Sequence, residues 1–550
     1  MKHRTFYISL IAIMLVGTSS RIPGIFTKAL CYWDEGIFAM GSEFLNWRVP
    51  VVMKELGCHL GFECDLPDPE SYPGYPVYLQ KPFHVILLTL TSQFTGFKSW
   101  AGPIHSVVFG LGTILLTALI GRKVFDPATG LIAAGILALE PFHVHYSRLG
   151  LHETDSMFLI LLCFGLWMHS LERPGKRWSF LVGLTAILAI GTSYRLLIMI
   201  TMIFLFEVAG SFIFKRSKKT AVMRYVCILC GAAAAFLFLE LSYYLIFNPH
   251  YLWSQPASYL SILKKKVISQ ESRMDLMFPF FYVKMFSSFD GWFPSAMTAT
   301  GLVYLSLRKK FRGICTAFMF IIPFAVFSFT TTRLARTCTG LLPFGALASG
   351  LLLAEISRIA VKGSRISFKW LSTAILFSMG CVFIMNLLPI YRIDSGYPEI
   401  ADFLRANDET GCLTTMKPIM AFYMDRKTVL DPGKTFQEMC INATNSGARY
   451  LCVDWQEFVG YGDMVRYNDY EKYREMMQAI HTFKPVFSVK NPVVEYFATL
   501  HENYLPMDVP LLPRLYPRIY EIRVYDLTEI LPLVNCPLTQ NITRNRDSVW

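Results

Sequence analysis

Long apolar runs separated by short basic clusters decide what this chain can become. They lie near residues 6–20, 104–120, 127–146, 155–171, 178–193, 196–214, 225–247, 291–307, 313–330, 337–355 and 370–389. A spanning helix takes about 20 apolar residues, and several of these runs fall somewhat short of it, so their ends are approximate. The chain is 53% hydrophobic and 17% charged. A soluble domain carries about a quarter charged residues, so the composition suits many spans plus one water-soluble part. The net charge of +12 does not indicate nucleic acid, because the basic residues sit in connections between apolar runs, where cytoplasmic loops would be.

The apolar run at 83–95 is shorter and reads as a helix lying at the membrane interface. With it left out, one side holds Lys2, Arg4, Arg122, Lys123, Arg173, Lys176, Arg177, Lys215, Arg216, Lys218, Lys219, Arg224, Arg308, Lys309, Lys310, Arg312, Arg358, Lys362, Arg365 and Lys369. The short connections of the other side hold only Arg148, Arg195, Arg333 and Arg336. The positive-inside bias then puts 27–103, 248–290 and 390–550 outside. Counting 83–95 as a span breaks this segregation, so the expectation is about eleven spans. The expected fold is a polytopic α-helical membrane domain over 1–390, with 27–103 its first outer loop, followed by a soluble extracytoplasmic α/β domain over 391–550. Lys2, His3 and Arg4 before the first apolar run resemble a signal peptide. Without an A-x-A cleavage site the segment reads as a retained anchor.

The tail changes period. Glu399–Ala406, a segment around Phe436–Ile441 and Asp469–Phe483 read as helices; Cys412–Met416, Lys427–Leu430, Tyr450–Asp454, Val486–Val489 and Ile519–Tyr525 read as strands. Such alternation predicts a small α/β domain. Asn442 and Asn541 begin sequons. Outer Cys31, Cys58, Cys64, Cys412, Cys440, Cys452 and Cys536 can be free or paired, Cys58–Cys64 being the nearest pair.

Four polar groups fall on the outer side near span ends. The first is Cys31-Tyr-Trp-Asp34-Glu35-Gly36. Its acids suit either a helix N-cap or a base meeting a substrate at the membrane surface. Lys81, in Gln80-Lys81-Pro82, suits snorkelling to headgroups or gripping a lipid phosphate. Tyr146-Ser-Arg148-Leu-Gly-Leu-His152-Glu153-Thr-Asp155 joins two spans; Asp155 can cap a helix, position a sugar or bind a metal. His143, His145 and His152 lack the spacing of a strong ligand motif. Arg195, Arg333 and Arg336 are outer-side cations, which calls for an anionic partner. Glu207 and Glu240 fall within spans, where carboxylates face protein or a cavity. They are the best support for a transport reading, and the sequence offers Glu207 no intramembrane cation.

In this order the motifs resemble a GT-C glycosyltransferase of the protein O-mannosyltransferase and aminoarabinose-transferase type. Arg21 and Trp33-Asp34-Glu35 are followed by Leu45-Asn-Trp-Arg-Val-Pro50 and Tyr78-Leu-Gln-Lys-Pro82, then Arg148…Asp155 and Arg333…Arg336…Leu342-Pro343. The resemblance covers the chain to about residue 390; the tail matches in placement. Gln80 stands where the family often has an acid, and Arg195 where it often has Lys, which changes geometry but not charge. The resemblance implies inverting transfer of one sugar from a polyprenyl-phosphate donor to a lipid, glycan or protein acceptor on the periplasmic or lumenal face, in a bacterial inner or plasma membrane. Asp34 is then the catalytic base, with Glu35 and Asp155 orienting acceptor, sugar or metal. Lys81, Arg195 and Arg336 would bind lipid phosphate, and Arg148 and His152 would position substrate. A divalent metal is compatible with the acids, and nucleic acid is no partner. The alternatives are a polytopic transporter or flippase with an outer sensor domain, and a non-catalytic scaffold.

Overall fold

The computed structural model describes residues 3–59, 81–173, 175–214, 217–246, 258–268, 281–308, 310–329, 335–362, 366–407, 411–415, 417–424, 429–433, 436–454, 482–493 and 521–534. These divide into two compact units. The larger holds the described residues of 3–27, 45–59 and 81–391, the smaller those of 28–44 and 392–534.

The apolar runs form helices. They are α1 His3–Ser19, α2 Trp33–His59, α3 Pro82–Thr95, α4 Ala101–Val124, α5 Pro127–Leu139, α6 Pro141–Tyr146, α7 Glu153–Glu172, α8 Lys176–Thr192, α9 Leu197–Ile213, α10 Lys218–Ile246, α11 Tyr259–Ile268, α12 Phe281–Asp290, α13 Trp292–Leu307, α14 Phe311–Ser328, α15 Leu342–Lys362 and α16 Ile366–Ile390. Among the described residues, seven helices are long and apolar enough to cross a membrane. The run at 127–146 is two helices rather than one. Pro141 has no N–H to donate and crowds the preceding turn, so the chain breaks at Glu140 and restarts with Pro141 in its first turn.

Helices α8 and α10 pack along each other. A Cβ on Gly183 would overlap the Ile228 carbonyl, and one on Gly231 the Phe180 carbonyl. Small residues at such a crossing let two backbones touch, the usual route to helix association in lipid.

The two ends of this bundle differ. At one end the basic clusters meet acids: Lys123 with Glu172 (3.4 Å), Arg312 with Glu172 (2.6 Å), Arg308 with Glu355 (3.1 Å) and Arg358 with Asp126 (2.7 Å). These join the ends of α4, α7, α13 and α15 to the starts of α5 and α14, all on the side read as cytoplasmic. The opposite end of α7, the start of α3, and the 3-10 turns Tyr194–Leu196 and Ala335–Leu341 gather elsewhere, around His152.

One expectation is overturned inside the bundle. Arg224, assigned to a basic connection, lies in α10 and is buried; its Nε donates to Glu207 Oε1 and its Nη2 to Glu207 Oε2, both at 2.7 Å. Trp167 Nε1 also donates to Glu207 (2.8 Å), and Arg224 reaches Ser170. The arginine stem carries the charge inward from the helix end, so Glu207 has its cation and ties α7, α9 and α10 together. Glu240 accepts from the Leu260 N–H (3.1 Å) and so caps α11.

The smaller unit holds a five-stranded sheet, β1 Cys412–Thr414, β2 Val429–Leu430, β3 Tyr450–Asp454, β4 Phe487–Lys490 and β5 Glu521–Asp526, in the order β2-β1-β3-β5-β4. β1 pairs parallel with β2 and β3, and β5 antiparallel with β3 and β4. Helices α17 Tyr397–Ala406, α18 Lys417–Tyr423, α19 Phe436–Ser446 and α20 Leu527–Val534 accompany it. The helix expected over 469–483 lies almost wholly outside the described residues. Cys412, Cys440 and Cys452 are free thiols.

Breaking a buried ion pair from one side strands the other charge, at a cost of about 3–5 kcal/mol. Glu207→Gln should therefore lower the unfolding temperature in detergent strongly, and adding Arg224→Gln should recover part of the loss. An unchanged unfolding temperature for Glu207→Gln would contradict the pairing.

Candidate active site

Lys81 immediately precedes α3, whose first helical residue is Pro82, a position where the missing N–H costs nothing. From there Pro82, His84, Val85, Leu88, Thr89 and Ser92 form the buried face of the helix. α7 begins at Glu153 with His152 just before it and both Glu153 and Asp155 in its first turn. Carboxylates there are favoured by the helix dipole.

These two helix starts meet. Lys81 Nζ lies 2.9 Å from His152 Nδ1. An ammonium can only donate, so Nδ1 accepts and the ring proton sits on Nε2. Burial lowers the His152 pKa well below the ordinary range, and Lys81, His84, Arg336 and Arg195 lower it further. His152 is therefore a neutral imidazole with three cations around it. Arg336 Nε also stands 4.0 Å from Glu153 Oε1, and His152 Nδ1 3.3 Å from Glu153 Oε2.

Behind this group Asp155 is fully buried between two histidines. His84 Nδ1 lies 2.9 Å from Asp155 Oδ2, and His105 Nε2, from α4, lies 3.9 Å from the same oxygen. Burial lowers the His84 pKa, with Asp155 opposing the shift. Thr91 Oγ1 donates to the Leu87 carbonyl (3.1 Å) and so accepts from His105 Nδ1 (2.9 Å). That chain assigns the His105 tautomer and turns the Nε2 lone pair toward Asp155.

The larger unit thus gathers Lys81, His152, Asp155, Arg195 and Arg336. Arg148 donates to the Arg21 carbonyl (2.7 Å) and lies over the Tyr391 ring. Arg21 in turn clamps the carbonyls of Gly17, Leu137 and Ala138. Gln80 and Arg333 lie outside the described residues.

Asp34 and Glu35 open α2 in the smaller unit. Glu35 holds the helix start: its buried Oε2 accepts from Cys31 N (2.9 Å) and Tyr32 N (3.1 Å). Asp34 is half-buried beside it. A Cβ on Gly36 would come within 2.7 Å of the Pro418 backbone, so α2 begins in direct contact with α18. Asp394 Oδ1 and the Tyr423 hydroxyl hold the Ala29 and Leu30 N–H groups, fixing the strand of loop that leads to Asp34.

His84, His105 and Glu153 were not singled out from sequence. The only available signal was that His84 falls one turn after Lys81 on the apolar face of α3; His105 carried none.

Residues 79–244 match the family described as dolichyl-phosphate-mannose-protein mannosyltransferase. The archaeal oligosaccharyltransferase AglB from Archaeoglobus fulgidus, in complex with an inhibitory peptide and a dolichol-phosphate, superposes with a TM-score of 0.55 at 13% identity, over 82% of this chain and 70% of its own. ArnT from Cupriavidus metallidurans bound to undecaprenyl phosphate superposes with a TM-score of 0.53 at 13% identity, over 85% and 95%. No curated protein matches. The chain has the GT-C superfamily fold. It resembles the protein O-mannosyltransferase and aminoarabinose-transferase type, and it is an integral, multi-pass membrane protein.

Losing the buried Glu35 carboxylate would leave two N–H groups unanswered, at about 1–3 kcal/mol. Glu35→Ala should lower thermal stability by that order, measured by unfolding in detergent. Wild-type stability in this variant would show that the cap does not form.

Proposed function

We propose that the chain moves one sugar, a hexose or pentose, from a polyprenyl-phosphate donor to an acceptor hydroxyl on the outer face, with inversion. The acceptor loses a proton as it attacks the anomeric carbon, and the bond to the carrier phosphate breaks. A carboxylate within reach of the hydroxyl serves as base, a role we assign to Asp34 from its place in the motif order. Glu35, occupied in capping, supports Asp34 through the loop. The donor phosphate is a diester with one negative charge, and it leaves as a monoester with more. Fixed cations that gain energy as charge develops act on the transition state rather than on the bound donor.

One observation carries this reading: Lys81, Arg195 and Arg336 lie around one neutral histidine, His152, with Glu153 beside it. Fixed cations gathered in this way suit the charge that develops on a leaving phosphate monoester. Likeness to proteins holding dolichol-phosphate and undecaprenyl phosphate supports a polyprenyl-phosphate carrier. The mannosyltransferase family match supports glycosyl transfer. We assign the domains as 1–390 membrane and 391–550 extracytoplasmic, and the location as a bacterial inner or plasma membrane with the site outside. The transport reading loses its main support, since Glu207 is held by Arg224 and Trp167.

If Lys81 and Arg195 grip one phosphate, Lys81→Ala and Arg195→Ala together should cost less than the sum of the separate losses in transfer rate. Arg195→Lys should be milder than Arg195→Ala, since it loses the fork and keeps the charge. The measurement is a double-mutant cycle with a fixed polyprenyl-phosphate sugar. Strict additivity would mean that the two cations do not share a ligand.

A further inference from the structure

We propose that His84, His105 and Asp155 form a three-ligand site for one divalent transition-metal ion that pins α3 to α4 and α7. This site does not depend on the transferase reading. The three side chains come from three helices, all are fully buried, and their ligand atoms lie within 4.8 Å of one another.

Two unanswered atoms point into the site. Asp155 Oδ1 and His105 Nε2 are buried and have no hydrogen-bond partner among the described residues. A buried carboxylate oxygen left that way is expensive. A proton on His105 Nε2 would not resolve it, because the 3.9 Å gap to Asp155 Oδ2 is too long for a hydrogen bond. A metal about 2.0–2.1 Å from each ligand bridges such a gap directly. Ligand atoms 2.0–2.1 Å from one tetrahedral ion lie about 3.3–3.4 Å apart, so binding draws these side chains together from separations of up to 4.8 Å.

The surroundings suit ligation. Thr91 takes the Nδ1 proton of His105 and leaves Nε2 as the donor nitrogen, the outer-shell arrangement that orients metal-bound histidines. The His84 nitrogen facing Asp155 gives up its proton on binding. Two imidazoles and one carboxylate favour zinc and its neighbours over magnesium or calcium, and leave a fourth position open. Because Lys81 lies one turn before His84, fixing His84 also fixes the ammonium beside His152.

The test uses the full-length protein in detergent, stripped with chelator and then titrated with zinc. Bound zinc is read by elemental mass spectrometry, stability by thermal unfolding, and geometry by the visible spectrum after cobalt substitution. The expected result is one zinc per chain, a raised unfolding temperature and cobalt bands of a low-coordinate nitrogen/oxygen site. His105→Ala should abolish all three. Thr91→Val, which keeps every ligand, should weaken zinc binding about 10–100-fold, and it decides the matter if His105→Ala fails to fold. Substoichiometric zinc with no thermal shift in the wild type would overturn the proposal. So would wild-type affinity in Thr91→Val and His105→Ala, which would place the zinc elsewhere.

Discussion

Like charges brought together at a membrane boundary repel one another unless something anionic answers them. Lys81, Arg195 and Arg336 nevertheless converge on His152, and the bundle is arranged to hold them there. α3 delivers Lys81, the turn before α9 delivers Arg195, and the turn before α15 delivers Arg336. Burial and the surrounding charge keep His152 neutral, so it accepts from Lys81 without adding to the repulsion. We propose that this site takes an anion that arrives with its hydrocarbon chain still in the bilayer. That is how a polyprenyl phosphate would present itself.

The acids divide their work by environment. Glu35 and Asp34 are adjacent in sequence, yet Glu35 turns back to satisfy two N–H groups of its own loop, so one carboxylate builds the turn that presents the other. Asp155 faces inward to two histidines while Glu153, two residues away, faces the cations. Glu207 shows the same logic in the helix bundle, where its ion pair with Arg224 and its bond from Trp167 hold three helices together.

Apolar run length located most of the long helices of the larger unit, because lipid imposes that rule on sequence directly, though seven rather than about eleven are long and apolar enough to cross a membrane among the described residues. The strand Tyr450–Asp454 was legible to the residue, since its five consecutive buried positions leave an unbroken apolar signal. What escaped was set by reach and by partners distant in sequence. Arg224 was read by where its backbone begins, while its function depends on a stem long enough to bring the guanidinium to Glu207. The break at Glu140 depends on Pro141, whose effect a count of apolar residues ignores. Arg195 and Arg336 stood out in the sequence as outer-side cations and Lys81 by its place before Pro82, and the structure sets all three around His152. His84 and His105 were missed because a single histidine on an apolar helix face gives no sign of the carboxylate it meets across 50 to 70 residues of chain.

The central claim is that carbon–oxygen bond cleavage at a carrier phosphate, rather than movement of an intact lipid, is what this chain performs. The most direct measurement incubates the purified full-length protein, wild type and Asp34→Asn, with a panel of polyprenyl-phosphate sugars and candidate acceptors, and follows free carrier phosphate by mass spectrometry. The account predicts carrier release with inversion at the anomeric carbon in the wild type, and a loss of about 10²–10⁴-fold in Asp34→Asn. Carrier that crosses reconstituted bilayers with its sugar still attached, at equal rates in both proteins, would contradict it.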